Sequence, residues 1–231
     1  MDPRRLVTRV LPHSVIDRLL LTLPALYRTR FVAYETYLIE DHGVPDLLAQ
    51  LERCLYLPGD IVECGCARCG ASAIMALELR NRGIDKRIFA CDSFQGFDQR
   101  ELERERLAGR TRAPHDSFTS STLDYVSAKL RVLGLDDIVR PVPGFFRDTL
   151  ETLDASPCFV LVDCDLEDSV ALCLDVLFPR LVPGGRILVD DYRSPDWLGA
   201  RVAVDRFLDR AGLDLDHHGP VGSFYLLKKR S

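Results

Sequence analysis

The sequence predicts an α/β protein: a mostly parallel sheet covered by helices on both faces, closed by an antiparallel pair and preceded by a helical N-terminal extension. Three observations predict it. From Gly59 onward, short apolar strand-like runs alternate with segments of helical periodicity, the pattern that builds parallel sheets. The final runs, DLDHH and SFYLLKK, flank G-P-V-G, a turn-rich link that joins antiparallel neighbours. The 231 residues, 47% hydrophobic and 28% charged, are ample for a buried core.

In chain order, residues 1–57 read as helical, with apolar residues at helical spacing over 15–23 and 44–57. IVECG (61–65) reads as a strand, followed by a helix over 70–80. RIFACD (87–92) is the second strand. Residues 97–122, RELERERLAGR and then TRAPHDSFTSS, read as an inserted helix and loop. A helix over 123–133 leads to a third strand within DIVRPVPG (137–144), and FFRDTLETL follows as a short helix. FVLVDCD (159–165) is the fourth strand, with a helix over 169–181. VPGG turns into the fifth strand, RILVDDY (186–192), and a helix over 200–211 precedes the terminal pair.

Composition excludes several classes. The apolar fraction is too high for a disordered chain. The most apolar stretches, 19–26 and 202–208, fall well short of the roughly 20 residues a membrane span needs. A formal net charge of −5 gives no phosphate-binding surface, so no nucleic-acid partner is expected. The start, MDPRRLVTRV, lacks the apolar core of a secretory signal, and most of the eight cysteines sit in apolar runs. Both features predict a reducing cytoplasm with cysteine as a small buried hydrophobe. Cys64, Cys66 and Cys69 form C-x-C-x-x-C, but no second Cys/His pair stands nearby to complete a zinc site.

Ligands of open α/β sheets sit at the carboxyl ends of the strands, near the point where strand order reverses. After the first strand comes Glu63-Cys-Gly65-Cys66-Ala-Arg-Cys-Gly70-Ala-Ser72. Its glycines permit a tight turn and close backbone approach. The spacing is not G-x-G-x-x-G, and the acid two residues before Gly65 would repel a pyrophosphate yet can hold an ammonium. No Walker lysine follows. Asp92, with Ser93 and Phe94, ends the second strand 27 residues after Gly65, where such folds place an acid on a ribose diol. The bland alternative for Asp92 is a helix N-cap.

Asp163-Cys-Asp165-Leu-Glu167-Asp168 and Asp190-Asp191-Tyr192 end the fourth and fifth strands. Carboxylates converging there raise one another's energy, and a divalent cation relieves it. Oxygen-only ligands favour Mg²⁺, Ca²⁺ or Mn²⁺ over zinc. Asp163, Asp190 and Asp191 are the expected ligands. If the strand continues through Asp165, Asp163 and Asp165 share a face, and one of them reaches the ion. Glu167 and Asp168 are expected to cap the next helix and pair with arginines such as Arg180, Arg193 or Arg201.

Six segments, GDIVECGCARCGAS, FACDSFQGF, PVPGFFRDTL, DCDLEDS, PRLVPGGRILVDDY and GARVAVDRF, run in order through residues 59–207. With them the chain resembles the macrocin O-methyltransferase (TylF-like) family of class I S-adenosylmethionine-dependent methyltransferases. That resemblance implies a seven-stranded Rossmann-like sheet with an antiparallel last strand over residues 58–231, the 97–122 insertion within it, and 1–57 as lid or interface. It implies S-adenosylmethionine and Mg²⁺ as cofactors, the latter held by Asp163, Asp190 and Asp191. Glu63 and the turn of Gly65, Cys66, Gly70 and Ser72 would line the methionine end, bordered by Asp163. Asp92 would bind the ribose beside Ser93 and Phe94, and Gly144 and Phe145 would flank the adenine. Glu167 stands where the family commonly has Tyr, and the insertion has no counterpart that fixes the acceptor.

The expected function is Mg²⁺-dependent O-methylation of a small molecule, a sugar or polyol of specialised metabolism, by a homodimer or higher homo-oligomer. Asp163 is the first candidate for the base and His115, in the insertion, the second. His217 and His218 read as surface residues. Residues 104–112 read as a solvated helix face, and Trp197 with Phe118 does not by itself make an aromatic clamp. An N-methyltransferase, a catechol-type O-methyltransferase and a non-catalytic cofactor-binding partner subunit are the competing expectations.

Overall fold

The computed structural model describes Val15, residues 43–210 and residues 212–231. The expected helix over 15–23 and the 19–26 stretch lie outside the described residues, apart from Val15. Helix α1 (Gly43–Glu52) leads into β1 (Asp60–Cys64), α2 (Gly70–Arg82) and β2 (Ile88–Asp92). The insertion carries α3 (Gln99–Leu107), followed by α4 (Leu123–Leu133), β3 (Val139–Pro143) and the short α5 (Phe146–Thr149). Then come β4 (Pro157–Val162), α6 (Glu167–Arg180), β5 (Arg186–Val189), α7 (Leu198–Leu208), β6 (Leu215–Val221) and β7 (Phe224–Lys229). No helix among the described residues is long and apolar enough to cross a membrane.

The sheet has seven strands in the order β3-β2-β1-β4-β5-β7-β6. The first five are parallel, and β7 runs antiparallel to both β5 and β6. Strand alternation divides the core. Ile61, Phe159, Leu161 and Leu188 face Leu47, Met75, Leu79 and Leu130 on one side. Val62, Val160, Val162 and Ile187 face Val170, Leu174, Leu177 and Phe207 on the other. β3 is an edge strand, blunted by Pro141 and Pro143. All eight cysteines are free and buried, as a small apolar residue would be.

The register fixes the functional level of the sheet. Cys64 stands opposite both Cys91 and Val162, and Val162 stands opposite Val189. The residues that follow those strand ends, Gly65, Asp92, Asp163 and Asp190, therefore leave the sheet on one level. Order reverses between β1 and β4, which opens a crevice there. Strands β4 and β5 stop at Val162 and Val189, before the acids that were expected to continue them.

Gly65 is where that level is tightest. Its φ is +86°, and a Cβ there would lie 1.9 Å from the Asp163 carbonyl oxygen. Gly65→Ala should lower unfolding free energy by about 2 kcal/mol or more, because neither the left-handed backbone nor the neighbouring carbonyl accommodates a methyl. Chemical denaturation checks this; a shift of a few tenths of a kcal/mol would mean that β1 and β4 do not approach here as described.

Candidate active site

A cleft of about 1760 Å³ opens at the carboxyl ends of the strands. Gly65, Ala67, Asp92, Ser93, Phe145 and Asp163 line one part of it. Asp165, Asp190, Asp191, Trp197 and residues of the insertion line the rest.

Asp92 ties the glycine turn to the loop after β2. Its two carboxylate oxygens accept the amides of Ala67 and Phe94, each at 2.8 Å. It does not cap a helix; it keeps lone pairs toward the cleft and bridges two loops. Ser93 closes its own loop by donating to the Gly96 carbonyl at 2.6 Å. Below the turn, the buried ammonium of Lys129 donates to the Arg68 carbonyl at 2.5 Å, a support with no signature in the sequence.

Of the remaining residues expected around a cofactor, Glu63, Cys66, Gly70, Ser72, Phe94 and Gly144 do not line the cleft. Glu63 is buried and accepts a hydrogen bond from the Ser72 hydroxyl beneath the turn. Burial pushes its pKa up to about 7, against the Ser72 hydrogen bond and reinforced by the charge of Asp92. Phe94 turns into the core at φ 54°.

Carboxylate oxygens of Asp163, Asp165 and Asp191 all lie within 4.8 Å of one another, the one such metal-capable group among the described residues. Asp190 was expected as the third ligand with Asp163 and Asp191; the group that lies within this distance holds Asp165 instead. β4 ends before Asp163, so strand alternation no longer governs the loop, and Asp165 adopts φ 63° and turns its carboxyl toward Asp191. Asp190 remains beside the group and lines the cleft. Burial, then the charges of Asp190 and Asp191, push the Asp163 carboxyl well above the usual range. Burial and a hydrogen bond shared with Asp191 do the same to Asp165.

Backbone strain marks the same region. The non-glycine residues with left-handed φ are Ala67, Cys69, Phe94, Phe118, Asp165 and Asp191, each in a loop around the cleft or in the insertion over it. Such conformations cost about 1–3 kcal/mol each and persist where surrounding structure over-determines them.

The insertion supplies an aromatic wall. Phe97 packs edge-on against Phe118 at 5.2 Å and against Trp197 at 5.5 Å, and all three rings line the cleft. Trp197 and Phe118 thus do form a joint surface, with Phe97 as the ring between them. The insertion is not simply a solvated face. Glu101 and Glu105 are buried, Arg104 pairs with Asp168 at 2.6 Å, and Arg110 pairs with Glu105 and Glu167 at 2.8 and 2.9 Å. Glu167 and Asp168 pair with arginines as expected, though with Arg110, Arg206 and Arg104, and neither caps the helix, whose N-cap position is Leu166.

His115 does not reach the cleft. Its ring is exposed, 2.9 Å from the Gln99 amide oxygen and 3.9 Å from Glu103. His217 is exposed, and His218 meets the Tyr225 hydroxyl at 2.9 Å.

This strand order, with its antiparallel last strand and a cleft at the β1–β4 switch point, defines the class I methyltransferase fold. Among solved structures, the O-methyltransferase NovP superposes with a TM-score of 0.68 at 26% identity, covering 81% of this chain and 79% of that one. The calicheamicin methyltransferase CalS11 shares the fold with a TM-score of 0.64 at 21% identity, covering 94% of this chain and 93% of its own. The profile of the macrocin-O-methyltransferase (TylF) family matches residues 47–219, and the chain belongs to that family.

Two curated relatives are similar in sequence. One is the 8-demethyl-8-(2,3-dimethoxy-alpha-L-rhamnosyl)-tetracenomycin-C 4'-O-methyltransferase of Streptomyces olivaceus, 36% identical over 68% of this chain and 60% of its own length. The other is the mycinamicin III 3''-O-methyltransferase of Micromonospora griseorubida, 35% identical over 68% of this chain and 63% of its own length. The matched region thus spans under two thirds of each relative.

Glu63 gives a pH signature. A carboxyl whose folded pKa exceeds its unfolded one costs stability as pH rises through that interval. Glu63→Gln, which keeps an acceptor for Ser72, should melt close to the parent near pH 4 and progressively above it from about pH 4.5 to 7, with the gap constant beyond. Ligand-free thermal melts across that range check this; a gap that shrinks as pH rises would contradict it.

Proposed function

We propose that this protein is an S-adenosylmethionine-dependent O-methyltransferase of a sugar hydroxyl on a small natural product, with Mg²⁺ at Asp163, Asp165 and Asp191. The observation that carries this reading is the meeting of three carboxylates with the glycine turn at the sheet's switch point. It is supported by a family whose members in hand are named for O-methylation, one of them for a rhamnosyl-bearing compound.

The residues fit both groups. The cleft is large enough for a nucleoside cofactor and an acceptor side by side. Two oxygens on one cation, at about 2.1 Å for Mg²⁺ and about 2.4 Å for Ca²⁺, lie at most about 4.2 to 4.8 Å apart. The carboxylate trio meets that limit with small movements. When bound, the sulfonium supplies an electrophilic methyl and the cation supplies Lewis acidity to the acceptor oxygen.

The chain's own task is alignment and proton removal. Asp92 orients the ribose through the lone pairs its two amide partners leave available. The Gly65 turn lets backbone approach the cofactor closely. Asp163, which lines the cleft, receives the acceptor's hydroxyl proton at its carboxylate. The rings of Phe97, Phe118 and Trp197 exclude water and hold the apolar body of the acceptor.

Asp163→Asn and Asp191→Asn should each lower kcat by roughly 10²–10⁴-fold, the usual worth of a positioned acid or base, and abolish a calorimetric Mg²⁺ signal. S-adenosylhomocysteine should bind the parent and the Asp191→Asn protein alike. Full turnover of either variant in chelator would contradict the metal assignment, and no S-adenosylhomocysteine binding by the parent would contradict the enzyme assignment. Phe118→Ala or Trp197→Ala should raise the acceptor KM by about fivefold, as loss of an aromatic contact of about 1 kcal/mol implies, with S-adenosylhomocysteine affinity unchanged.

A further inference from the structure

Helix α6 begins where the carboxylate loop ends, and it has no cap of its own. Leu166 occupies the N-cap position and makes no side-chain cap hydrogen bond. The first turn of a helix leaves amide donors without partners, and negative charge is favoured there. One of these donors, the Ser169 amide, is met from the insertion. Glu101 Oε1 accepts the Ser169 amide at 2.6 Å, and Glu101 Oε2 accepts the Ser169 hydroxyl at 2.8 Å, across 68 residues of sequence.

A second buried acid stands beside it. Glu105 takes a bidentate contact from Arg110, at 2.8 and 3.0 Å, and Arg110 also reaches Glu167 at 2.9 Å. Arg206 of α7 completes the group by pairing with Glu167 at 2.6 Å. Packing leaves no slack. A Cβ on Gly199, in the first turn of α7, would lie 2.6 Å from both Glu105 Oε2 and the Glu167 amide nitrogen, and 3.1 Å from the Asp165 carbonyl oxygen. The insertion helix, the carboxylate loop and α7 thus meet at one point.

The exposed pair Arg104–Asp168 also joins α3 to α6, but both side chains are about 60% exposed, and such pairs contribute little. The buried connections are Arg110–Glu167 and Glu101–Ser169; of the two, Glu101 meets the helix backbone, is 8% exposed and carries a carboxylate that is costly to bury unless it is hydrogen-bonded in this way.

We infer that Glu101 is a positioning residue: by capping α6 from the insertion, it holds the loop bearing Asp163 and Asp165, so that seating of the insertion over the cleft and readiness of the carboxylate trio are coupled. What the trio binds rests on the function proposed above; the coupling does not.

The test uses the full chain and two readouts. Amide hydrogen exchange over residues 163–170 is measured without metal or cofactor, and Mn²⁺ is titrated calorimetrically. Glu101→Ala should raise exchange in that segment and weaken Mn²⁺ binding, each by about tenfold, the scale of a lost helix cap. Glu101→Gln, which retains an acceptor for the Ser169 amide, should fall between it and the parent. Ser169→Ala removes only the hydroxyl contact and should raise exchange by less, which guards against a Glu101→Ala protein that fails to fold. S-adenosylhomocysteine affinity should change by less than about twofold throughout, since neither residue lies by Asp92 or the glycine turn. Unchanged exchange over 163–170 in both Glu101→Ala and Ser169→Ala would overturn the inference. Raised exchange in a protein whose parent binds no Mn²⁺ would uphold the positioning role and remove the metal from the proposed function.

Discussion

Like charges gathered at the ends of β4 and β5 are the constraint on which the rest of this structure turns. Asp163, Asp165 and Asp191 approach within 4.8 Å, with Asp190 beside them; Asp165 is buried, and Asp163 and Asp191 are half-buried at the cleft. Ionised carboxylates repel at that range, and burial deepens the cost. Nothing in local propensity favours such an arrangement; the sheet imposes it. The aligned register of β1, β2, β4 and β5 brings their exits to one level, and the left-handed conformations of Asp165 and Asp191 fold two of the carboxyls inward. The proposed divalent cation would offset that charge repulsion.

The insertion then appears as part of the site's construction. Its helix is tied to α6 through buried Glu101 and Glu105, its distal loop brings Phe118 to Phe97, and its N-cap Asp98 is held by Arg147 from beside β3. One segment therefore shapes the wall facing the acceptor and braces the loop beneath it. Acceptor preference can change through Phe97, Phe118 and Trp197 while Glu101 and Arg110 keep the floor in place.

Much of this was legible in the sequence, and the boundary follows physical range. Strand and helix alternation is a local property, so the parallel sheet, the antiparallel terminal pair and the strand-end acids could all be read directly. Asp92 and Gly65 were legible because a βα turn has few solutions. The closeness of Asp165 to Asp191 was not legible, because period-2 alternation holds only while the strand lasts, and β4 stops three residues earlier. His115 is a candidate base by residue type, yet only tertiary structure decides that it faces Gln99 and Glu103 instead of the cleft. Glu105 and Arg110 lie in the run read as a solvated helix face, because the residue they brace, Glu167, is more than 50 residues away, and Glu101 just before it meets Ser169 at a similar remove. A buried Leu102 among those charges was the one local sign that the helix packs.

The central claim is that Asp163, Asp165 and Asp191 are three ligands of one divalent cation. The most direct measurement is an anomalous-difference map from crystals grown with S-adenosylhomocysteine and Mn²⁺. A single peak within coordination distance of one oxygen from each of the three carboxylates is the expected result. A trio without a peak, or a peak held by Asp190 with Asp165 turned away, would contradict it.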